Sequence, residues 1–221
     1  MSCIGIYGGS FNPIHLGHTR LAHNLCKAGL VDRVWLLVSP LNPLKKDDAD
    51  TIIPTEIRLR MARIAVEKVK SVEVSDFETK MPIPSYTVNT MKAIAAEFPQ
   101  HEFRIVIGQD NWSHFGQWYK ADEIRAMYDI IVYGRNQDGK AADKRAKVVL
   151  YKKNGEIIDF SNYYHFPLYN ISSTKIRQAV KSSNFNFAKR WLNPKVLELI
   201  NQLNLFKPNT PANSLPLCRF L

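Results

Sequence analysis

The sequence lacks any long apolar run, since no segment reaches the roughly 18 uninterrupted apolar residues that a membrane-spanning helix requires. The N-terminus also lacks the basic-then-apolar pattern of a secretory signal peptide. We therefore expect a cytoplasmic protein that does not enter a membrane. What the chain does have is length and apolar content: 221 residues, 45% of them hydrophobic, can bury a substantial core in one domain.

Cysteine is scarce as well. The three cysteines, Cys3, Cys26 and Cys218, are far apart, odd in number and without Cys-x-x-Cys spacing. This pattern argues against both a disulfide framework and a cysteine-ligated zinc site. We expect Cys3 and Cys26 to be buried as small apolar residues, and we expect no metal ion that is held by protein ligands alone.

Acidic residues are few in the last part of the chain. Residues 1–133 carry 15 basic and 15 acidic side chains, whereas residues 134–221 carry 15 basic and 5 acidic ones, which accounts for the whole net charge of +10. Such a field suits an anionic partner. A polyphosphate nucleotide and RNA both meet this condition, and charge does not distinguish them.

Short apolar runs alternate with segments of helical spacing. Strands are predicted at 3–7, 33–38, 72–75, 103–107, 129–133 and 147–151. Helices are predicted at 85–98, 172–180 and 194–203. Two further helices are predicted, one that begins at residue 17 and one that contains Ile57, Met61, Ile64 and Ala65. This alternation predicts an α/β fold with an open, doubly wound, mostly parallel sheet, a small C-terminal helical portion, and a site at the carboxyl ends of the strands. Residues 1–206 are predicted to form one domain, and three prolines predict a flexible tail over 207–221.

The turn after the first predicted strand, residues 8–18, reads GGSFNPIHLGH. It has neither the G-x-G-x-x-G spacing of a Rossmann cofactor site nor the Gly-Lys-Ser/Thr of a P-loop. The turn therefore argues against both a dinucleotide cofactor site and a P-loop ATPase. Its glycines allow a ligand to approach the backbone. His15 and His18 flank a helix start, where free N–H groups and the helix dipole favour phosphate. The two histidines are therefore expected to face one anion together.

A second helix start, residues 170–177, reads NISSTKIR. Its successive hydroxyl groups can cap the helix and bond phosphate oxygens, and Arg177 can reach back over the same helix end as a fork-shaped donor. An ordinary N-cap with a solvated arginine is the alternative interpretation of this segment taken alone. Two helix starts suited to phosphate at one edge of a parallel sheet favour a nucleotide site.

Together these two segments resemble the bacterial nicotinate mononucleotide adenylyltransferases, which belong to the nucleotidyltransferase superfamily with a His-x-Gly-His turn. Three further segments narrow the resemblance: SYTVNT at 85–90, IGQD at 107–110 followed by Trp118, and NPLK at 42–45. The resemblance covers roughly residues 3–205. It implies a Rossmann-like fold, transfer of the adenylyl group of ATP to nicotinate mononucleotide with release of pyrophosphate, and a place in NAD biosynthesis.

The same resemblance implies roles for individual residues. The implied catalytic residues are His15, His18, Lys45 and Arg177. The residues implied to bind ATP are Gly8, Gly9, Ser10, Phe11, His15, His18, Gly108, Asp110, Ile171, Ser172, Ser173, Thr174 and Arg177. Those implied to bind the mononucleotide are Asn42, Lys45, Tyr86, Thr87, Trp118 and Arg135, with Trp118 stacked on the pyridine ring. Mg²⁺ is expected to arrive with ATP.

The sequence departs from the family pattern at two places. Leu44 stands where the family usually has histidine, and Lys46 adds a second candidate for the phosphate contact of Lys45. Asn136-Gln137 follow Arg135 in place of the usual Pro-Gly. A structural alternative also exists at 85–90, because Ser85 is a good residue to cap a helix there.

Two rival functions stay open at this point. One is adenylyl or cytidylyl transfer to another phosphorylated acceptor, and the other is a basic RNA-binding module that keeps the fold without catalysis. The intact His15, His18, Lys45 and Arg177 favour an enzyme whose partners are ATP and nicotinate mononucleotide rather than nucleic acid. The sequence leaves the oligomeric state open.

Overall fold

The computed structural model of the protein describes residues 1–40, 52–134 and 145–207. Several residues named in the sequence analysis lie outside the described residues, namely Asn42, Leu44, Lys45, Lys46, Arg135, Asn136 and Gln137, and so does the predicted tail from residue 208 onward. Within the described ranges, no helix combines the length and the apolar character needed to cross a bilayer.

The described residues form seven strands and eight helices. The strands are β1 (Ser2–Gly9), β2 (Arg33–Val38), β3 (Val72–Ser75), β4 (His101–Gly108), β5 (Asp129–Tyr133), β6 (Val148–Tyr151) and β7 (Ile157–Asp159). The helices are α1 (Leu16–Lys27), α2 (Thr55–Val66), α3 (Thr87–Glu97), α4 (Gln109–Trp112), α5 (Ala121–Met127), α6 (Ser173–Lys181), α7 (Phe185–Trp191) and α8 (Pro194–Gln202). Short 3-10 turns lie at Phe77–Lys80, Phe115–Gln117 and Phe160–Asn162.

All seven strands form one sheet, in the order β3-β2-β1-β4-β5-β6-β7. Strands β1 to β5 pair in parallel, while β6 pairs antiparallel with β5 and β7 antiparallel with β6. The prediction of an open, mostly parallel α/β sheet is confirmed. The chain winds outward in one direction from β1 to β3 and in the other from β4, and such a switch point leaves a crevice at the carboxyl ends of β1 and β4.

Helices cover both faces of this sheet. One core contains side chains of α1, α2 and α6, such as Leu25, Met61 and Ile176. The other core contains side chains of α3 and α5, such as Met91. Because both faces are covered, the central strands are largely apolar, and residues 4–7 of β1 are buried in succession.

Polar caps begin the C-terminal helices. Ser172, Asn184 and Asn193 occupy the N-cap positions of α6, α7 and α8, and each side chain accepts a backbone N–H from the first turn of its helix. The hydroxyl cap predicted within residues 170–177 is confirmed. Pro194 at the first position of α8 has no N–H to leave unsatisfied.

The predicted start of α3 is wrong by two residues. The helix begins at Thr87 after an N-cap position occupied by Tyr86, and no side chain caps it. Ser85 lies one residue before the N-cap position, and its buried hydroxyl lowers the pKa of the Glu78 carboxyl group instead of capping the helix.

The buried face of α2 consists of Arg58, Leu59, Met61, Ala62 and Val66, while Ile57, Ile64 and Ala65 are half-buried and pack against the core. One prediction of burial needs correction. Cys3 and Cys26 are free thiols, and both are half-buried rather than buried. Each lies at the rim of the core where strand or helix meets solvent-exposed loops, so packing covers only part of the side chain.

Candidate active site at the switch point of the sheet

The two histidines of the first turn lie together below the protein surface. His15 and His18 are 3% and 8% exposed, and their rings stack with centroids 3.7 Å apart and 21° between the ring planes. Phe11 packs edge-on against His18, with ring centroids 5.1 Å apart. The structure thus places both imidazole rings side by side at the start of α1.

Hydrogen bonding selects one tautomer of His18. The backbone N–H of His15 donates to Nδ1 of His18 over 3.2 Å. A neutral imidazole has one donor and one acceptor nitrogen, so the proton of neutral His18 resides on Nε2. This nitrogen is then a donor of the kind that can bond a phosphate oxygen.

The turn between β1 and α1 has an uncommon backbone conformation. Phe11 lies in the left-handed region with a φ of 45°, which is sterically costly for a bulky residue, by about 1–2 kcal/mol. Its ring is buried and packs edge-on against Tyr7, with centroids 5.7 Å apart. Conformations of this kind cluster at ligand sites, where surrounding packing holds them.

The first turn and the start of α6 are in direct contact. The hydroxyl of Ser173 donates to the carbonyl of Pro13 over 2.9 Å, and Nη1 of Arg177 donates to the carbonyl of Asn12, also over 2.9 Å. Nη2 of Arg177 donates to the hydroxyl of Thr174 over 3.3 Å. The two helix starts that the sequence suggested for phosphate are therefore brought together, although 160 or more residues separate them.

Gly17 allows the two helix starts to pack closely. A Cβ at this position would lie 2.7 Å from Cγ2 of Ile171 and 3.0 Å from Nδ1 of His15. Both of these side chains are buried, so neither can move away without disturbing its neighbours. The glycine is required by this close approach.

We expect Gly17→Ala to lower the free energy of unfolding by about 1–3 kcal/mol, because the added methyl group overpacks the contact with Ile171. The better helix propensity of alanine offsets only part of this loss. Gly116→Ala is the matched control, since a Cβ there would have no atom within 4 Å. Urea denaturation measures both variants, and equal midpoints for the two would contradict the close packing at Gly17.

The turn after β4 presents a buried carboxylate oxygen. A Cβ on Gly108 would collide with Oδ1 of Asp110, so glycine permits the carboxylate to fold back against the strand end. This Oδ1 atom is buried and accepts no hydrogen bond within the described part of the chain. A buried acceptor of this kind suits a ligand that brings its own donors, such as ribose hydroxyl groups.

A cavity of about 160 Å³ opens beside the first turn. The ends of β1 and β4 form one side, at Gly8, Gly9 and Ile107. The other lining residues that concern the site are Ser39, Glu78, Ser85, Tyr86, Thr87, Thr90, Asn111, Gln117, Trp118 and Tyr119. Tyr86, Thr87 and Trp118, which the sequence predicted for one pocket, are thus brought together.

Aromatic side chains form one wall of this cavity. Trp118 packs against Phe115 with ring centroids 5.2 Å apart, and its buried Nε1 has no hydrogen-bond partner among the described residues. The rings of Tyr86 and Tyr119 pack at a tilt of 40°, with centroids 4.7 Å apart, and are 36% and 49% exposed, so they form the solvent side of the wall. A wall of this kind suits a flat ring.

Another wall contains a buried carboxyl group. Glu78 is 6% exposed and accepts hydrogen bonds from the hydroxyls of Ser39, over 2.5 Å, and Thr90, over 3.0 Å. Burial raises the pKa of the Glu78 carboxyl group, and the hydroxyls of Ser39, Thr90 and Ser85 lower this pKa in part.

A buried guanidinium lies behind the same wall. Arg58 is 0% exposed, and burial lowers its pKa to about 10, so it is a cation at neutral pH. Its nitrogens donate over 2.7–3.2 Å to five acceptors, which are the carbonyls of Ser10, Ser39, Pro40 and Ile53 and the hydroxyl of Thr55. Backbone carbonyls and a hydroxyl therefore satisfy this charge.

Sequence reasoning missed Ser39, Arg58, Glu78 and Tyr119. None of them belongs to a recognisable spacing, and isolated charged residues are usually exposed. One signal for Arg58 was present, because it lies four residues before Ala62 and eight before Val66, which are apolar positions on the buried face of α2. A basic residue in such a row either lies at the exposed rim of the helix face or is buried because it makes hydrogen bonds.

Residues 6–179 match the cytidylyltransferase-like family. The chain is similar to a probable nicotinate-nucleotide adenylyltransferase of Bacteroides fragilis (strain YCH46), with 38% identity over 198 residues that make up 90% of each chain. It is also similar to a probable nicotinate-nucleotide adenylyltransferase of Flavobacterium johnsoniae, with 35% identity over 204 residues, 92% of this chain and 98% of the relative.

A solved structure supports the fold. The nicotinic acid mononucleotide adenylyltransferase of Plasmodium falciparum, complexed with NaAD, matches 93% of this chain and 98% of its own with a TM-score of 0.68 and 19% identity. Family match, sequence similarity and fold agree with the residues gathered at the switch point. The chain belongs to the cytidylyltransferase-like family of nucleotidyltransferases and, within that family, to the nicotinate-nucleotide adenylyltransferases.

Proposed function

We propose that the protein transfers the adenylyl group of ATP to nicotinate mononucleotide, which forms nicotinate adenine dinucleotide, a precursor of NAD, and releases pyrophosphate. The observation that carries this proposal is the contact between the first turn and the start of α6, next to a cavity with an aromatic wall. Helix starts with histidines and an arginine suit a polyphosphate, and the aromatic wall suits a pyridine ring.

The reaction needs positioning and charge neutralisation rather than a protein nucleophile. A phosphate oxygen of the mononucleotide attacks the α-phosphorus of ATP in line with the departing pyrophosphate. Negative charge grows on the bridging and leaving oxygens, where fixed donors contribute most. His18 donates through Nε2 and Arg177 through its guanidinium, while Lys45, outside the described residues, supplies a further positive charge.

A divalent ion such as Mg²⁺, which would arrive with ATP, would neutralise phosphate charge. Among the described residues, no group of three His, Cys, Asp or Glu side chains is placed to hold a metal ion. The buried Oδ1 of Asp110 fits a role here, either as one carboxylate ligand or as the acceptor of ribose hydroxyl groups.

Trp118→Leu tests the proposed stacking on the pyridine ring. We expect the KM for nicotinate mononucleotide to rise roughly fivefold or more, since aromatic stacking on a heteroaromatic base contributes about 1–3 kcal/mol, while the KM for ATP stays unchanged. Trp112→Leu is the control, because Trp112 belongs to the same segment but packs on Tyr151, with ring centroids 4.4 Å apart. Equal KM changes in the two variants would contradict the stacking role.

Pyrophosphate release from ATP and Mg²⁺ by the purified protein tests the proposed function itself. Three matched reactions are compared, with nicotinate mononucleotide, with nicotinamide mononucleotide and without an acceptor. We expect release that requires an acceptor and is faster with the nicotinate form. Release with neither mononucleotide, from folded protein that still binds ATP, would redirect the proposal to transfer onto another phosphorylated acceptor.

A further inference from the structure

Two buried ionisable side chains share one residue at the carboxyl edge of the sheet. Nη1 of Arg58 donates to the carbonyl of Ser39 over 2.8 Å, and the hydroxyl of Ser39 donates to Oε2 of Glu78 over 2.5 Å. The side chains of Arg58 and Glu78 are both buried. Arg58, Ser39 and Glu78 together are called the buried relay below.

One end of the relay holds the first turn. Nη1 of Arg58 also donates to the carbonyl of Ser10 over 2.7 Å, and the backbone N–H of Ser39 donates to the carbonyl of Gly9 over 3.0 Å. These two carbonyls belong to the segment that leads from β1 into the histidine turn. The relay therefore fixes the end of β2 against the end of β1.

The other end of the relay holds the cavity. Oε1 of Glu78 accepts a hydrogen bond from the hydroxyl of Thr90 on α3, and this hydroxyl also lies 3.3 Å from the carbonyl of Tyr86 at the start of the same helix. Tyr86 and Thr87 line the cavity. A change in the position of Glu78 would therefore shift the wall that faces the pyridine ring.

Filling the core does not by itself require this arrangement. Taking charged groups out of water costs several kcal/mol each, and apolar residues of similar volume often make a more stable protein. Leu59, Met61 and Ala62, which share the buried face of α2 with Arg58, are apolar already. An apolar side chain at position 58 would continue that face, but it could not satisfy the backbone carbonyls that Arg58 holds in place.

We propose that Arg58 and Glu78 are positioning residues for adenylyl transfer, which act through Ser39 to hold the phosphate turn and the pyridine cavity in one fixed arrangement. This inference rests on the proposed function. The two substrates occupy different parts of the crevice and react only when their phosphates are in line, and a displacement of about 1 Å can cost up to 10²-fold in rate. Loss of the relay therefore lowers kcat more than it weakens the binding of either substrate.

Glu78→Gln and Arg58→Lys test this role. Glutamine keeps the shape of Glu78 without its charge, and lysine keeps the charge of Arg58 without the fork that reaches several carbonyls. We expect kcat to fall by about tenfold or more in each variant, with the KM values for ATP and nicotinate mononucleotide within about threefold of wild type. In the double variant the loss is smaller than the product of the two single losses, because both residues act through Ser39.

Arg104→Lys is the matched control. Arg104 is partly buried, lies 3.4 Å from Asp129 and donates to the carbonyl of Leu30, near the amino ends of β5 and β2 and away from the crevice. We expect this variant to keep the wild-type kcat. Where Arg58→Lys does not fold by circular dichroism, Ser39→Ala and Thr90→Val interrupt the same chain of bonds and are expected to give the same split between kcat and KM.

Three outcomes decide the matter. A wild-type kcat in folded Glu78→Gln protein, a loss confined to KM, or fully additive losses in the double variant would each overturn the positioning role while leaving the proposed function intact. Absence of acceptor-dependent pyrophosphate release from the wild-type protein would overturn the proposed function, and this inference with it.

Discussion

We expect His18→Ala to lower turnover by about 10²- to 10³-fold, equal to roughly 3–4 kcal/mol of transition-state stabilisation. The reason lies in the fixed orientation of the ring, which stacks on His15 and accepts a backbone N–H at Nδ1. With the proton on Nε2, the ring presents its donor before the substrates arrive and needs no rearrangement as charge develops on the phosphates. Steady-state pyrophosphate release at saturating ATP and mononucleotide measures the effect.

His23→Ala is the matched control for this experiment. His23 lies on the same helix but is exposed, and its ring contacts only the hydroxyl of Ser71 among the hydrogen bonds described for it. We expect wild-type turnover in this variant. His18→Gln should retain part of the activity, because its side-chain amide is also a donor. Near-normal turnover in folded His18→Ala protein would remove His18 from the catalytic set.

Much of the fold was predictable because its strands are short apolar runs with glycine or polar residues at both ends. The bounds predicted for β2, β3 and β5 agree with the structure to the residue. Strands β2 and β5 lie inside the sheet and are largely buried, so most of their side chains are subject to the same selection for apolar character, whereas β3 at the sheet edge buries only Val72. Because helices alternate with these strands, each connection crosses over the sheet and the strands pair in parallel.

The elements that sequence reasoning missed are short and depend on their surroundings. Strand β7 has three residues and pairs only with β6 at the sheet edge. Helix α7 has seven residues, of which only Ala188 is buried, and the side chain of Asn184 supplies its cap. Isolated helices of this length are marginal in water, so packing against α6 and α8 decides whether they form.

The residues of the candidate site also fall into those that the sequence predicted and those that it did not. The histidine turn and the start of α6 carry local patterns, and the rule that ligands bind at the carboxyl ends of parallel strands predicts that they meet. No local sequence pattern marks the relay of Arg58, Ser39 and Glu78. Its three residues lie on separate segments that become neighbours only in the folded chain. Even Ser85 was misjudged as a helix cap for this reason, since the carboxyl group that it faces belongs to another segment.

Arg177→Met is expected to lower turnover by about 10²-fold, the second largest loss among these variants. Arg177 donates to the carbonyl of Asn12 and to the hydroxyl of Thr174, so its guanidinium is held over the junction of both helix starts. Methionine fills a similar volume without charge or donors. The loss therefore combines a missing phosphate donor with weaker attachment of the first turn to α6.

Two further variants separate these contributions. Arg177→Lys keeps a positive charge but not the planar fork, so it should fall between wild type and Arg177→Met in turnover. Lys181→Met removes one charge at the opposite end of the same helix, and we expect it to leave kcat unchanged. If Lys181→Met lowered turnover as much as Arg177→Met, the general basic field of the C-terminal part would account for the effect. A loss specific to Arg177 would instead assign the effect to the junction between the first turn and α6, because the charge of Arg177 and its hydrogen bond to the carbonyl of Asn12 act together there.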